Sequence, residues 1–308
     1  MLYTKKHESK CIDASDRRCR LPGAALQVAI AGMCLLLTWI LLTGWSPAKA
    51  EKVPVIVLPG FMGSTLVDRS NRVTLVYGRF RGIVEDFQKL KLPADLKKNR
   101  LVPKGLVMKY RIPRGGSHDM YNVLVRRFEA QGYRLDRDLF LFAYDWRLSN
   151  FRTAELLNEF IKKKGLAGRP IDLVGHSMGG LVALIYIHTY RQQPVRNYIT
   201  MGTPFLGSVE TIRILAEGAE AFGYKNTTVF GAGNPSLIFR VAGSMESVYE
   251  MMPFYKDCCY RIPPGGSQLE SLDMTDPQVW RDFHLYLEKR IGGNRLQQRI
   301  SDSFRRQN

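Results

Sequence analysis

The sequence is poor in the residues that would tie a chain together covalently or around a metal. Five cysteines occur in 308 residues: Cys11, Cys19 and Cys34 lie in or before an apolar segment near the N-terminus, and Cys258 and Cys259 lie beyond it. Adjacent cysteines make a strained pair for a disulfide, so no disulfide framework is expected. The five histidines are scattered, and no His, Cys and carboxylate cluster has metal-ligand spacing. Neither a metal nor an organic cofactor is expected. Acidic residues are also scarce, 28 against 45 Lys and Arg, for a formal net charge of +17. Of that charge, +13 falls in residues 51–308. A surface of this sign suits anionic partners. There is no zinc-finger spacing, RNP-like motif or aromatic-interleaved basic stripe, which argues against nucleic acid. A phospholipid membrane surface or plain solubility is left to account for the charge. Repeats and low-complexity tracts are absent, and 45% apolar against 24% charged residues excludes a disordered chain.

What is present begins with one long hydrophobic run. Lys5, Lys6, Arg17, Arg18 and Arg20 precede an uncharged stretch at 21–47, whose apolar heart at 24–43 holds one strongly polar residue, Gln27. About 20 apolar residues cross a bilayer as a helix, and a basic flank stays on the cytoplasmic side. Residues 1–20 are therefore expected to be a cytoplasmic basic segment. Residues 21–50 are expected to be a signal peptide or a membrane anchor, with the main domain on the non-cytoplasmic side. Ala48-Lys49-Ala50 has the small-residue spacing of a signal peptidase site. Cleavage and retention both stay open.

Downstream, a short continuous apolar run at 53–58 reads as a buried parallel strand, and 139–144, 171–174 and 198–201 are the further strand candidates. Helical spacing occurs at 120–128, 153–164 and 178–190. Strands alternating with helices predict an α/β core at 51–204, a mostly parallel sheet with helices on both faces. From Phe205 the alternation stops, and 205–291 reads as a cap-like segment ending in a helix at 277–291, before a basic tail at 292–308.

Gly175-His176-Ser177-Met178-Gly179 is a G-x-S-x-G sequence with a buried strand before it and an amphipathic helix after it, the setting of a nucleophile elbow. The glycines are needed because side chains two residues either side of the serine would collide. Ser177 is the candidate nucleophile. Acyl transfer also needs two backbone N–H donors for the carbonyl oxygen. The residue after the nucleophile, Met178, supplies one, and Phe61 in the Pro59-Gly60-Phe61-Met62-Gly63 loop after the first strand is the candidate for the other.

Pro59 to Ser64, then Tyr144-Asp145-Trp146-Arg147, then Gly175 to Gly180, then Gly202-Thr203-Pro204, occur in that order. Together they resemble the lecithin:cholesterol acyltransferase family and its phospholipase relatives, over roughly residues 53–285. The resemblance implies an α/β-hydrolase-like core with a cap, no cofactor, and acyl esters of lipids or phospholipids as substrates for hydrolysis or O-acyl transfer. It implies Ser177 as nucleophile with Phe61 and Met178 as the oxyanion hole. Asp145, Trp146 and Arg147 read as a structural post beside the sheet edge.

The fold also requires an acid and then a histidine after the elbow. Beyond Ser177 the sequence holds His188, about three turns along the elbow helix, and His284 in the helix at 277–291. His284 is the remaining candidate base, although a structural role on an apolar helix side explains it more simply. The family carries acid and base after two further strands, so the sheet is expected to be incomplete at its C-terminal side, in a truncated and impaired enzyme. The competing reading is a catalytically silent, membrane-associated lipid-binding protein. If the topology is right, a reporter active only in the cytoplasm, fused after Asn308, gives no signal; strong reporter activity reverses it.

Overall fold

In the computed structural model the chain divides into two compact units, Met1–Glu51 and Lys52–Asn308. The structure describes residues 33, 51–70, 74–75, 88–112, 116–212, 240–263, 265–273, 276 and 278–279. Among these no helix is long and apolar enough to cross a membrane. The apolar run at 24–43 lies outside them apart from Met33, and the helix expected at 277–291 apart from Gln278 and Val279.

The centre is a four-stranded sheet built from β1 (Val55–Leu58), β7 (Leu139–Leu141), β8 (Ile171–His176) and β9 (Val195–Met201). Its order is β7-β1-β8-β9, and every pairing is parallel. Strand direction alternates side chains between faces, and β1 shows the result. Ile56 and Leu58 enter one core with α2 (Asn150–Lys163) and α3 (Met178–Thr189), through Leu157, Ile161, Val182, Ala183 and Tyr186. Val55 and Val57 face the other way, onto Val125 of α1 (Asn122–Ala130). Helices thus cover both faces. A fully buried side chain such as Leu58 or Ile56 stabilises the fold by about 1.5–3 kcal/mol.

Two parts were not legible as strands. Between β1 and α1 lies an antiparallel layer, β3-β2-β4, of β2 (Ser64–Asp68), β3 (Thr74–Leu75) and β4 (Leu101–Leu106), followed by a hairpin of β5 (Lys109–Ile112) and β6 (Gly116–Asp119). β4 contains Pro103 and Gly105, both poor strand formers, and β2 is bulged between Thr65 and Leu66. Beyond residue 205, β10 (Cys259–Arg261) and β11 (Glu270–Leu272) form a short hairpin. Nearby, Val241, Met245, Val248 and Met252, around α4 (Glu246–Glu250), join the core on the α2/α3 face.

Tyr186 in α3 has no exposed surface, and its hydroxyl finds no partner. An unsatisfied buried polar group costs about 1–3 kcal/mol. Tyr186→Phe should therefore raise the melting temperature by about 2–4 °C, measured by calorimetry; a lower melting point would contradict the burial.

Candidate active site

β1 and β8 are neighbours whose outgoing connections run to opposite sides of the sheet, one to β7 and the other to β9. In an open α/β sheet the crevice beyond the carboxyl ends of two such strands is where ligands bind. The loop at 59–63 leaves β1 here, and Ser177 leaves β8 here.

Ser177 is the residue between β8 and α3, with φ 50° and ψ −123°. A side chain strains this backbone by about 1–3 kcal/mol. The turn is held by the Ser177 N–H donating to the Met201 carbonyl at 2.8 Å and by the Gly180 N–H donating to the Ser177 carbonyl at 2.9 Å. The glycines are sterically required. A Cβ on Gly175 would lie 2.5 Å from Gly180 Cα, and one on Gly179 would lie 2.4 Å from the Leu58 carbonyl oxygen. Both obstacles are backbone and cannot swing away.

The β1 loop reaches the elbow directly. A Cβ on Gly60 would stand 2.9 Å from that of Ser177. The loop closes as a turn through the Gly63 N–H and the Gly60 carbonyl, 2.9 Å apart, with Met62 at φ 59°. Among the described residues, neither the Phe61 amide nor that of Met178, the first residue of α3, donates to a backbone carbonyl outside the helix. The positive end of the α3 dipole lies at the same point.

The Tyr-Asp-Trp-Arg quartet brackets this loop. The Tyr144 hydroxyl donates to the Pro59 carbonyl, the Trp146 indole N–H donates to the Ser64 carbonyl at 3.0 Å, and the Tyr144 N–H donates to Ser64 Oγ at 3.1 Å. Phe61 packs edge-to-face on Trp146, with ring centres 4.9 Å apart. Arg147, with no exposed surface, donates to both Asp145 carboxylate oxygens at 2.8 and 2.6 Å, to Asn99 Oδ1 at 2.8 Å and to the Leu90 carbonyl at 3.2 Å. That is a post, and Tyr144 and Trp146 are the arms that reach the loop. Burial lifts the Tyr144 phenol well above its ordinary pKa.

Sequence reasoning missed Tyr121, the residue before α1. Its oxygen accepts the Gly60 N–H at 2.8 Å and lies 2.7 Å from His176 Nδ1. No local signal marks it, because its partners are 61 and 55 positions away. Among the described residues, His118 lies on β6 and His188 near the end of α3, and no hydrogen bond joins a histidine to the Ser177 hydroxyl. His284 lies outside the described residues. A cavity of about 380 Å³ runs along the outer side of α3 past Leu181, Ile185 and His188, and neither Ser177 nor Phe61 lines it. No group of three or more His, Cys, Asp or Glu among the described residues could hold a metal.

A family model described as lecithin:cholesterol acyltransferase matches residues 75–282. The mouse protein named phosphatidylcholine-sterol acyltransferase is 26% identical over 252 residues, covering 64% of this chain and 57% of its own length. The human lysosomal phospholipase A and acyltransferase is 28% identical over 106 residues, covering 32% of this chain and 26% of its own. The chain thus spans little more than half the length of the mouse relative. Among solved structures, the Bacillus licheniformis lipase BlEst2 matches with a TM-score of 0.28 and 18% identity, covering 65% of this chain and 60% of that one.

The strain at Ser177 gives a measurable sign. Ser177→Gly should be more stable than Ser177→Ala by about 1–3 kcal/mol in denaturant unfolding, because glycine alone adopts φ 50°, ψ −123° without penalty. Equal stabilities would mean that the elbow is not strained.

Proposed function

The chain belongs to the lecithin:cholesterol acyltransferase family, and from that premise we propose that it is a lipid acyl-ester hydrolase or O-acyltransferase whose nucleophile is Ser177. The observation that carries this reading is the strained serine at the carboxyl end of β8, first against α3 and pressed on the Gly60–Phe61 loop. In the reaction, Ser177 Oγ bonds to the acyl carbonyl carbon while a base takes its proton. The oxygen that becomes an anion is held by the Phe61 and Met178 amides. Collapse expels the lipid alcohol, and water or a second alcohol then takes the acyl group from the serine. Preorganised donors of this kind account for about 2.7–4 kcal/mol each in barrier lowering. His284 is the candidate base.

The substrate class follows from the relatives, whose names specify phosphatidylcholine, sterol and phospholipid. A phospholipid donor suits the charge of +13 on residues 51–308, which would draw the domain to an anionic membrane surface. The basic flank and apolar run at 24–43 support a place on the non-cytoplasmic side, exported or anchored.

An activated serine reacts with fluorophosphonates, and an inert one does not. The chain should be labelled by a fluorophosphonate probe, and Ser177→Ala should abolish the label. An unlabelled wild-type chain that still binds phospholipid vesicles would turn the reading into a silent lipid-binding protein. Label surviving in Ser177→Ala would place the nucleophile elsewhere.

A further inference from the structure

One hydrogen-bonded chain crosses from the β1 loop to the elbow without including the nucleophile or the two oxyanion amides. Tyr121 is 3% exposed, and its ring meets that of His176 edge-to-face at 5.7 Å. Burial pushes the phenol up to about 12 and holds the His176 imidazole below its ordinary range. At neutral pH both groups are therefore uncharged. A neutral phenol has one proton to give, and its oxygen already accepts the Gly60 N–H. The assignment that satisfies all three groups has Tyr121 donating to His176 Nδ1, with the imidazole proton on Nε2.

We propose that Tyr121 and His176 are positioning residues for acyl transfer, the chain from Gly60 N–H through the Tyr121 hydroxyl to His176 Nδ1 fixing the oxyanion loop in register with the nucleophile elbow. Gly60 precedes Phe61, and His176 precedes Ser177, so each end of the chain stands one residue from a group that must meet the same carbonyl. Contact alone does not set that register. Gly60 faces the Ser177 side chain with no side chain of its own, and a bare backbone surface can slide or rotate. The hydrogen bond fixes the plane of the Pro59–Gly60 peptide, the unit from which the chain turns to the Phe61 amide. Tyr144 holds the carbonyl end of this same planar peptide, so that Tyr121 and Tyr144 fix its plane from opposite ends. The inference rests on the acyl-transfer reading of Ser177.

Tyr121→Phe keeps the ring packing and removes the hydroxyl. Hydrogen–deuterium exchange on the full chain reads the loop without needing activity. The peptide covering 59–64 should exchange about fivefold faster, the worth of one net hydrogen bond, while one covering 171–175 stays unchanged. On a short-chain p-nitrophenyl ester kcat should fall about tenfold with KM within about twofold, because small misplacements of a reacting group cost rate rather than binding. His176→Ala should show the same split, and the double variant should lose no more than either single one. Tyr186→Phe, which loses a buried hydroxyl outside the chain, should move neither readout. Should Tyr121→Phe fail to fold, His176→Leu, which has no acceptor, breaks the same chain from its other end and is read the same way. Unchanged exchange at 59–64 overturns the proposal, and so does faster exchange with kcat unchanged. A wild-type chain that neither takes the fluorophosphonate nor turns over the ester defeats the acyl-transfer reading, and the positioning role falls with it; the exchange result then still decides whether the contact exists.

Discussion

The close approach of two backbones, the end of β1 and the first turn of α3, is the constraint on which the site depends. Gly179 lies under the Leu58 and Pro59 carbonyls, and Gly175 lies against Gly180, at distances that no Cβ could share. Only because these positions carry no side chains can the elbow sit directly beside the loop that leaves β1. The parallel order β7-β1-β8-β9 then places both at the one crevice where the chain's connections part. Widening this contact by a methyl group would separate the serine from the loop it is meant to work with.

The buried bracket beside the sheet sustains that contact. Arg147 and Asp145 are both taken out of water, a cost offset only when every donor and acceptor is met. Here Asn99 and the Leu90 carbonyl complete the pair. The backbone around it is tied further: the Glu246 N–H donates to the Arg147 carbonyl, and Ser247 Oγ donates to that of Trp146. Glu250 accepts from Ser149 Oγ and the Asn150 N–H at the start of α2, where a carboxylate also suits the helix dipole. Segments near residues 90–99, 144–150 and 244–250 are thereby locked to one post. Tyr144 and Trp146 carry its rigidity to the loop at 59–64, and Tyr121 meets the same loop from the other face of the sheet.

The family match at 75–282 includes the quartet, the elbow and Gly202-Thr203-Pro204, yet begins after the loop at 59–64. The loop's nearness to Ser177 therefore rests on geometry: its turn, and the 2.9 Å that would separate a Cβ on Gly60 from that of Ser177. The strained turn at Ser177 and the loop packed beside it are what the parallel sheet positions.

Sequence by itself determined the features whose cause is local. β1 is an uninterrupted apolar run because both faces of a parallel strand are covered, and the elbow announces itself because its glycines are spaced by a single tight turn. The Asp145–Arg147 post was legible for a similar reason, its two charges lying two residues apart among aromatics. Tertiary structure decided the rest. β2, β4, β5 and β6 escaped notice because antiparallel strands with a bulge, a proline and polar faces draw their stability from pairing rather than from composition. β10 and β11 are three residues each and mostly exposed, too short for a pattern. Tyr121 reads as one more aromatic before a helix, and becomes part of the site only because the fold brings Gly60 and His176, each more than fifty residues away, to opposite sides of one hydroxyl. Periodicity records which face of an element is buried; it carries nothing about which distant polar group waits there, since that is fixed by how elements pack on one another.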